Sequence, residues 1–119
     1  MLAVHQLIAQ SLILYYTLVG VWGVFLGIRK AEMNSAFRGA ITIGVIMAVV
    51  QAAVGVGLLL AGGQPGSDLH FLYGVTVILT VPLVASYIAD KKVSRVLAYG
   101  LASLFMAGLA IRALTTGQL

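Results

Sequence analysis

The chain has no cysteine. That excludes disulfides, thiolate metal sites and iron–sulfur ligation. Acidic residues number only three, and none falls in the middle of an apolar run, so no carboxylate marks a proton or cation path through a membrane. Ser-His-Asp and HExxH patterns, a glycine-rich phosphate loop and CxxC are all missing. Charged residues make up 8% of the chain, whereas soluble domains carry about 25%. A water-soluble helical bundle needs a polar outer face on every helix, and this composition cannot supply one.

What remains is hydrocarbon-like. Hydrophobic residues make up 61% of the sequence, gathered in four runs over residues 7–28, 40–61, 71–89 and 96–114. Each is long enough to cross a bilayer core, which takes roughly 20 helical residues. The expected fold is all-α: one domain over residues 1–119, an integral membrane four-helix bundle in up-down-up-down order, because the connections are short. Met1–Gln6 lack the basic residues of a signal peptide, so the first run is read as a permanent helix.

Loop charge predicts the orientation. Arg29, Lys30 and Arg38 flank the first connection, and Lys91, Lys92 and Arg95 the third. The second holds Asp68 and no Lys or Arg. The positive-inside rule then places both termini on the outer, periplasmic side of a bacterial inner (cytoplasmic) membrane, which the chain crosses several times. The net charge of +4 is an orientation signal, with no basic face for nucleic acid. Each hairpin opens on a His, His5 and His70, at its outer end.

Helical spacing predicts which faces meet. Gly44, Ala48, Gln51 and Gly55 form one stripe of helix two, and Tyr99, Ser103, Ala107 and Ala110 a seam of helix four. Gln6, Gln10, Thr17 and Gly20 share a face of helix one, and His70, Tyr73, Gly74, Val77, Thr80 and Val84 a face of helix three. These polar faces are expected to turn inward or toward a partner. The hydroxyls of Tyr15 and Tyr16, near mid-membrane, require acceptors. Ser67 or Asp68 is the expected N-cap of helix three, and Pro82 is expected to kink that helix.

The candidate binding residues follow. His5 and His70 sit at similar depth on diagonal helices, where two neutral imidazoles would hold a haem b iron from both sides. The competing reading makes both interfacial residues bonded to water or head groups. Gln51 is either interhelical glue or a contact to a cofactor or head group. Arg112 and Tyr73 are candidates for a quinone, a haem propionate or a lipid. Because Arg112 points away from the helix-four seam, it is expected to face lipid or another subunit.

Gln51-x-x-x-Gly55, followed by His70-x-x-Tyr73-Gly74, resembles half of a haem A synthase bundle over residues 40–75. In that family a four-helix half binds haem through His residues at helix ends, and the resemblance implies that role for His70. This chain lacks the Glu-x-x-x-His of helix one and a second His near helix four, so catalytic haem oxidation is not carried over. In size and style the whole chain is similar to the small hydrophobic subunits of bacterial electron-transfer complexes, such as alternative complex III and photosynthetic assemblies. That likeness implies a non-catalytic accessory subunit, with other integral membrane subunits, lipids, a quinol or a carotenoid as neighbours. A small bis-His cytochrome is the alternative, and a homo-oligomeric transporter or channel ranks third.

Overall fold

The computed structural model describes residues 2–64, 68–89 and 94–117. Ser67, Asp90, Lys91 and Lys92 lie outside them. Four helices account for nearly all of these residues: α1 (Leu2–Ile28), α2 (Ser35–Leu60), α3 (Leu69–Ile88) and α4 (Arg95–Gly117). All four are long and apolar enough to cross a membrane, and the chain is a multi-pass membrane protein. The bundle measures 48 × 24 × 20 Å. Its length suits a bilayer of about 40–45 Å including head groups.

Helix ends are set by local chemistry. Asn34 caps α2 by accepting the Phe37 N–H at 2.7 Å, and the Ser94 hydroxyl accepts the Leu97 N–H at 3.1 Å at the start of α4. Asp68 precedes α3 but makes no side-chain cap; its carbonyl accepts from Phe71 instead. Two helices end in the same six-residue hydrogen-bonded turn. After α1, Ala31 N–H reaches the Leu26 carbonyl and Lys30 sits at φ 57. After α2, Gly63 N–H reaches the Leu58 carbonyl and Gly62 sits at φ 95. Helix α3 runs through Pro82, whose side chain is on the exposed side.

Neighbouring helices in the ring are α1–α2, α2–α3, α3–α4 and α4–α1, which leaves α1 and α3 diagonal. The α1–α4 pair is the most closely packed and α2–α3 the least. Glycine explains the first. A Cβ on Gly23 would lie 2.6 Å from the Gly100 Cα, so the two backbones touch. Gly20 against Leu104 and Gly27 against Leu97 extend this contact along α1. The core centres on Tyr16, Phe37, Met106, Val96 and Ser103. Tyr16 and Tyr15 find their acceptors on α2, donating to the Gly44 and Ala40 carbonyls at 2.6 Å each.

The α2 and α4 seams predicted by spacing face inward: Gly44, Ala48, Ser103, Ala107 and Ala110 are buried. On α3, Val77 and Thr80 are buried. The polar face of α1 departs from the inward half of its expectation. Gln6, Gln10 and Thr17 are exposed, and the inner side holds Leu12, Tyr16, Val19, Gly20 and Gly23. Two physical reasons account for it. The Tyr rings and glycines form the close contacts, and Thr17 satisfies its hydroxyl on its own helix, at the Ile13 carbonyl.

Candidate functional site

The antiparallel order brings the Leu2 end of α1, the Leu60 end of α2, the Leu69 end of α3 and the Gly117 end of α4 together. Of the described cations, Arg29, Lys30, Arg38 and Arg95 lie at the opposite end and Arg112 at this one. The His end carries the candidate site. His5, in the first turns of α1, and His70, in the first turn of α3, meet across the diagonal with ring centroids 6.0 Å apart and planes at 71°.

Each imidazole is held from another side. His70 Nδ1 lies 2.7 Å from the Ala113 carbonyl of α4. A carbonyl only accepts, so Nδ1 is the donor in this contact and Nε2 is the nitrogen left for another partner. Gly117, one turn further, has no side chain because the His70 ring occupies that space; a Cβ there would meet it at 2.8 Å. Gly55 does the same for His5, at 3.1 Å. One turn from Gly55, Gln51 donates its amide N–H to the His5 carbonyl at 2.8 Å, tying α2 to α1. His5 Nδ1 and Gln51 Oε1 are buried and have no hydrogen-bond partner among the described residues. Buried polar side-chain atoms are ordinarily paired, and these two sit in the same corner of the bundle.

All five sequence candidates lie at this end. His5, His70 and Gln51 form one cluster. Tyr73 and Arg112 form a second, with the guanidinium carbon 5.9 Å from the Tyr73 ring centroid, a cation–π contact between α3 and α4. Arg112 is exposed. The residues that sequence reasoning missed are Ala113 and Gly117. Ala113 acts through its backbone carbonyl, which leaves no side-chain signature. Gly117 was visible only as a small residue one turn beyond it.

The donors suit a metal that takes imidazole. Among the described residues no group of three or more His, Cys, Asp or Glu could hold an ion, so this end would offer a metal two imidazoles. Two imidazoles on one metal place their ring centres about 6 Å apart, given metal–nitrogen bonds of about 2 Å. The observed spacing meets that requirement. A macrocycle would also need a slot between the rings. The two cavities described below lie at the opposite end, and the backbone at Gly55 and Gly117 closes on the imidazoles. His5 and His70 are the residues that would hold a haem iron, and the surrounding backbone would have to part to admit the macrocycle.

No protein-family model matches the chain, and neither the curated proteins nor the solved structures yield a significant match.

Proposed function

We propose that this protein is a non-catalytic membrane subunit of a larger bacterial electron-transfer assembly, seated in the inner membrane with the His end outward. The observation that carries this reading is the outward face of α1. Gln10 lies about 12 Å along a helix of about 40 Å, inside the hydrocarbon layer of about 30 Å when the helix is centred. It is exposed, and its amide has no partner among the described residues. Gln6 stands one turn above it in the same condition. An amide facing acyl chains is costly, and a neighbouring helix relieves that cost. The clustering of Arg29, Lys30, Arg38 and Arg95 at one end supports the orientation. The test is purification in mild detergent with mass spectrometry of the accompanying proteins. The expected result is a stable set of membrane partners that is lost from Gln10→Leu. A chain that runs alone and monomeric overturns the reading.

The His pair supports a second reading, a bis-His b-type haem protein in which His5 and His70 would hold the iron. When bound, the haem would supply one-electron redox chemistry. The residues' own contribution is orientation, through the Ala113 carbonyl at His70 and Gln51 at the His5 backbone. An absorption spectrum of the same preparation decides it. A Soret band that His70→Ala abolishes supports the cytochrome, and a colourless protein removes it.

A further inference from the structure

The basic end holds a cavity that neither reading uses. It has a volume of about 320 Å³ and lies where α2, α3 and α4 converge, lined by Arg38, Ile41, Val45, Val81, Arg95 and Tyr99 among others. A wider cavity of about 520 Å³ adjoins it, sharing Met33 and Arg95 and adding Lys30 and Glu32. The smaller one is graded from charged to apolar. Arg38, Ile41, Thr42 and Val45 succeed one another along one face of α2, so its wall passes from a guanidinium, past one hydroxyl, to branched aliphatic carbon within about 10 Å. Arg95 and Tyr99, one turn apart on α4, repeat the sequence from cation to aromatic ring. Among the described residues neither Arg38 nor Arg95 is paired with a carboxylate. Val81 of α3 joins the α2 residues in its lining, across the least packed neighbouring pair.

We infer that this cavity binds one anionic phospholipid, its phosphate between Arg38 and Arg95 and the first part of one acyl chain against Ile41, Val45 and Val81. Three features select this occupant. Guanidinium groups offer forked donors that match a phosphate. The charge around the mouth is positive, with Glu32 the one described acid nearby. The apolar depth requires a tail, which a free anion lacks. The inference requires that the chain lie in a membrane and does not depend on the proposed partners or on haem.

The experiment uses the full chain in neutral detergent, with native mass spectrometry after addition of dioleoyl phosphatidylglycerol or dioleoyl phosphatidylcholine. Phosphatidylglycerol is expected to be retained selectively, and Arg38→Gln with Arg95→Gln to lower that retention roughly thirtyfold. Val45→Phe, which fills the apolar depth and keeps both cations, is expected to lower it as well. Arg29→Gln removes a charge at the same end but outside the cavity, where Arg29 lies over Phe25, and is expected to change little. Equal retention of the two lipids overturns the inference, as does phosphatidylglycerol binding that survives Val45→Phe. Displacement by millimolar inorganic phosphate, or a quinone held by the same residues in preference to the phospholipid, also overturns it. Should the double variant fail to fold, Val45→Phe decides alone.

Discussion

The α1–α4 and α2–α3 contacts are both seams between antiparallel apolar helices, yet one is sealed and the other open. At α1–α4 the backbones touch at Gly23 and Gly100, and Leu97 and Leu104 fill the places of missing side chains at Gly27 and Gly20. At α2–α3 two glycines show the opposite. Gly39 of α2 and Gly74 of α3 face open space, with nothing within 4 Å of a built Cβ. In a solvent as apolar as leucine, burying more leucine gains little. What separates the two seams is how closely the backbones approach.

That contrast is easiest to break at Gly23. Gly23→Leu places a branched side chain where another backbone lies, and the expected loss is about 3 kcal/mol, the upper range for overpacking, with α1 and α4 forced apart. Gly39→Leu should change stability by less than about 0.5 kcal/mol. Thermal or denaturant unfolding in detergent compares the two directly, and equal losses would end the distinction between seams. Next in size is Tyr16→Phe. It removes the hydroxyl bond to the Gly44 carbonyl while keeping the ring, for an expected loss of about 1 kcal/mol in the same assay.

The connections offer a finer test. Lys30 and Gly62 occupy equivalent positions in equivalent turns, both at positive φ, but only Gly62 is free of a Cβ penalty. Lys30→Gly should raise stability by about 0.5–1 kcal/mol, and Gly62→Ala should lower it by a similar amount. A small effect of the opposite sign belongs to Gly74→Ala. Open space beside this helical glycine predicts a gain of about 0.5 kcal/mol, opposite in sign to any substitution at Gly23. A loss at Gly74 would mean that α3 packs more tightly than its open surroundings imply.

The sequence revealed the helices and two of their inner faces for a simple reason. Small residues four apart, as in Gly44–Ala48 and Ser103–Ala107, mark close approach whatever the solvent. The inner side of α1 was not legible, because every side of a membrane helix is apolar and polarity no longer reports the interior. Gln10 and Thr17 looked like inward residues, and Tyr16 with Gly23 took that place instead. The nearness of His5 and His70 could be anticipated from their common depth on diagonal helices. The carbonyl that pairs with His70 Nδ1 could not, since a backbone acceptor at Ala113 has no residue signature. The basic-end cavity was missed for another reason. Arg38 and Arg95 were read as charges that orient the chain, although Arg38, Ile41, Thr42 and Val45 share one helical face and could have been read as a lining.

The paired tyrosines act as a mechanical detent. Their hydroxyls grip carbonyls one helical turn apart on α2, at Ala40 and Gly44. A slide of α2 by a single residue would release both, whereas a slide of a full turn, about 5.4 Å, would offer each a fresh carbonyl. Axial travel of α2 against α1 is thereby quantised.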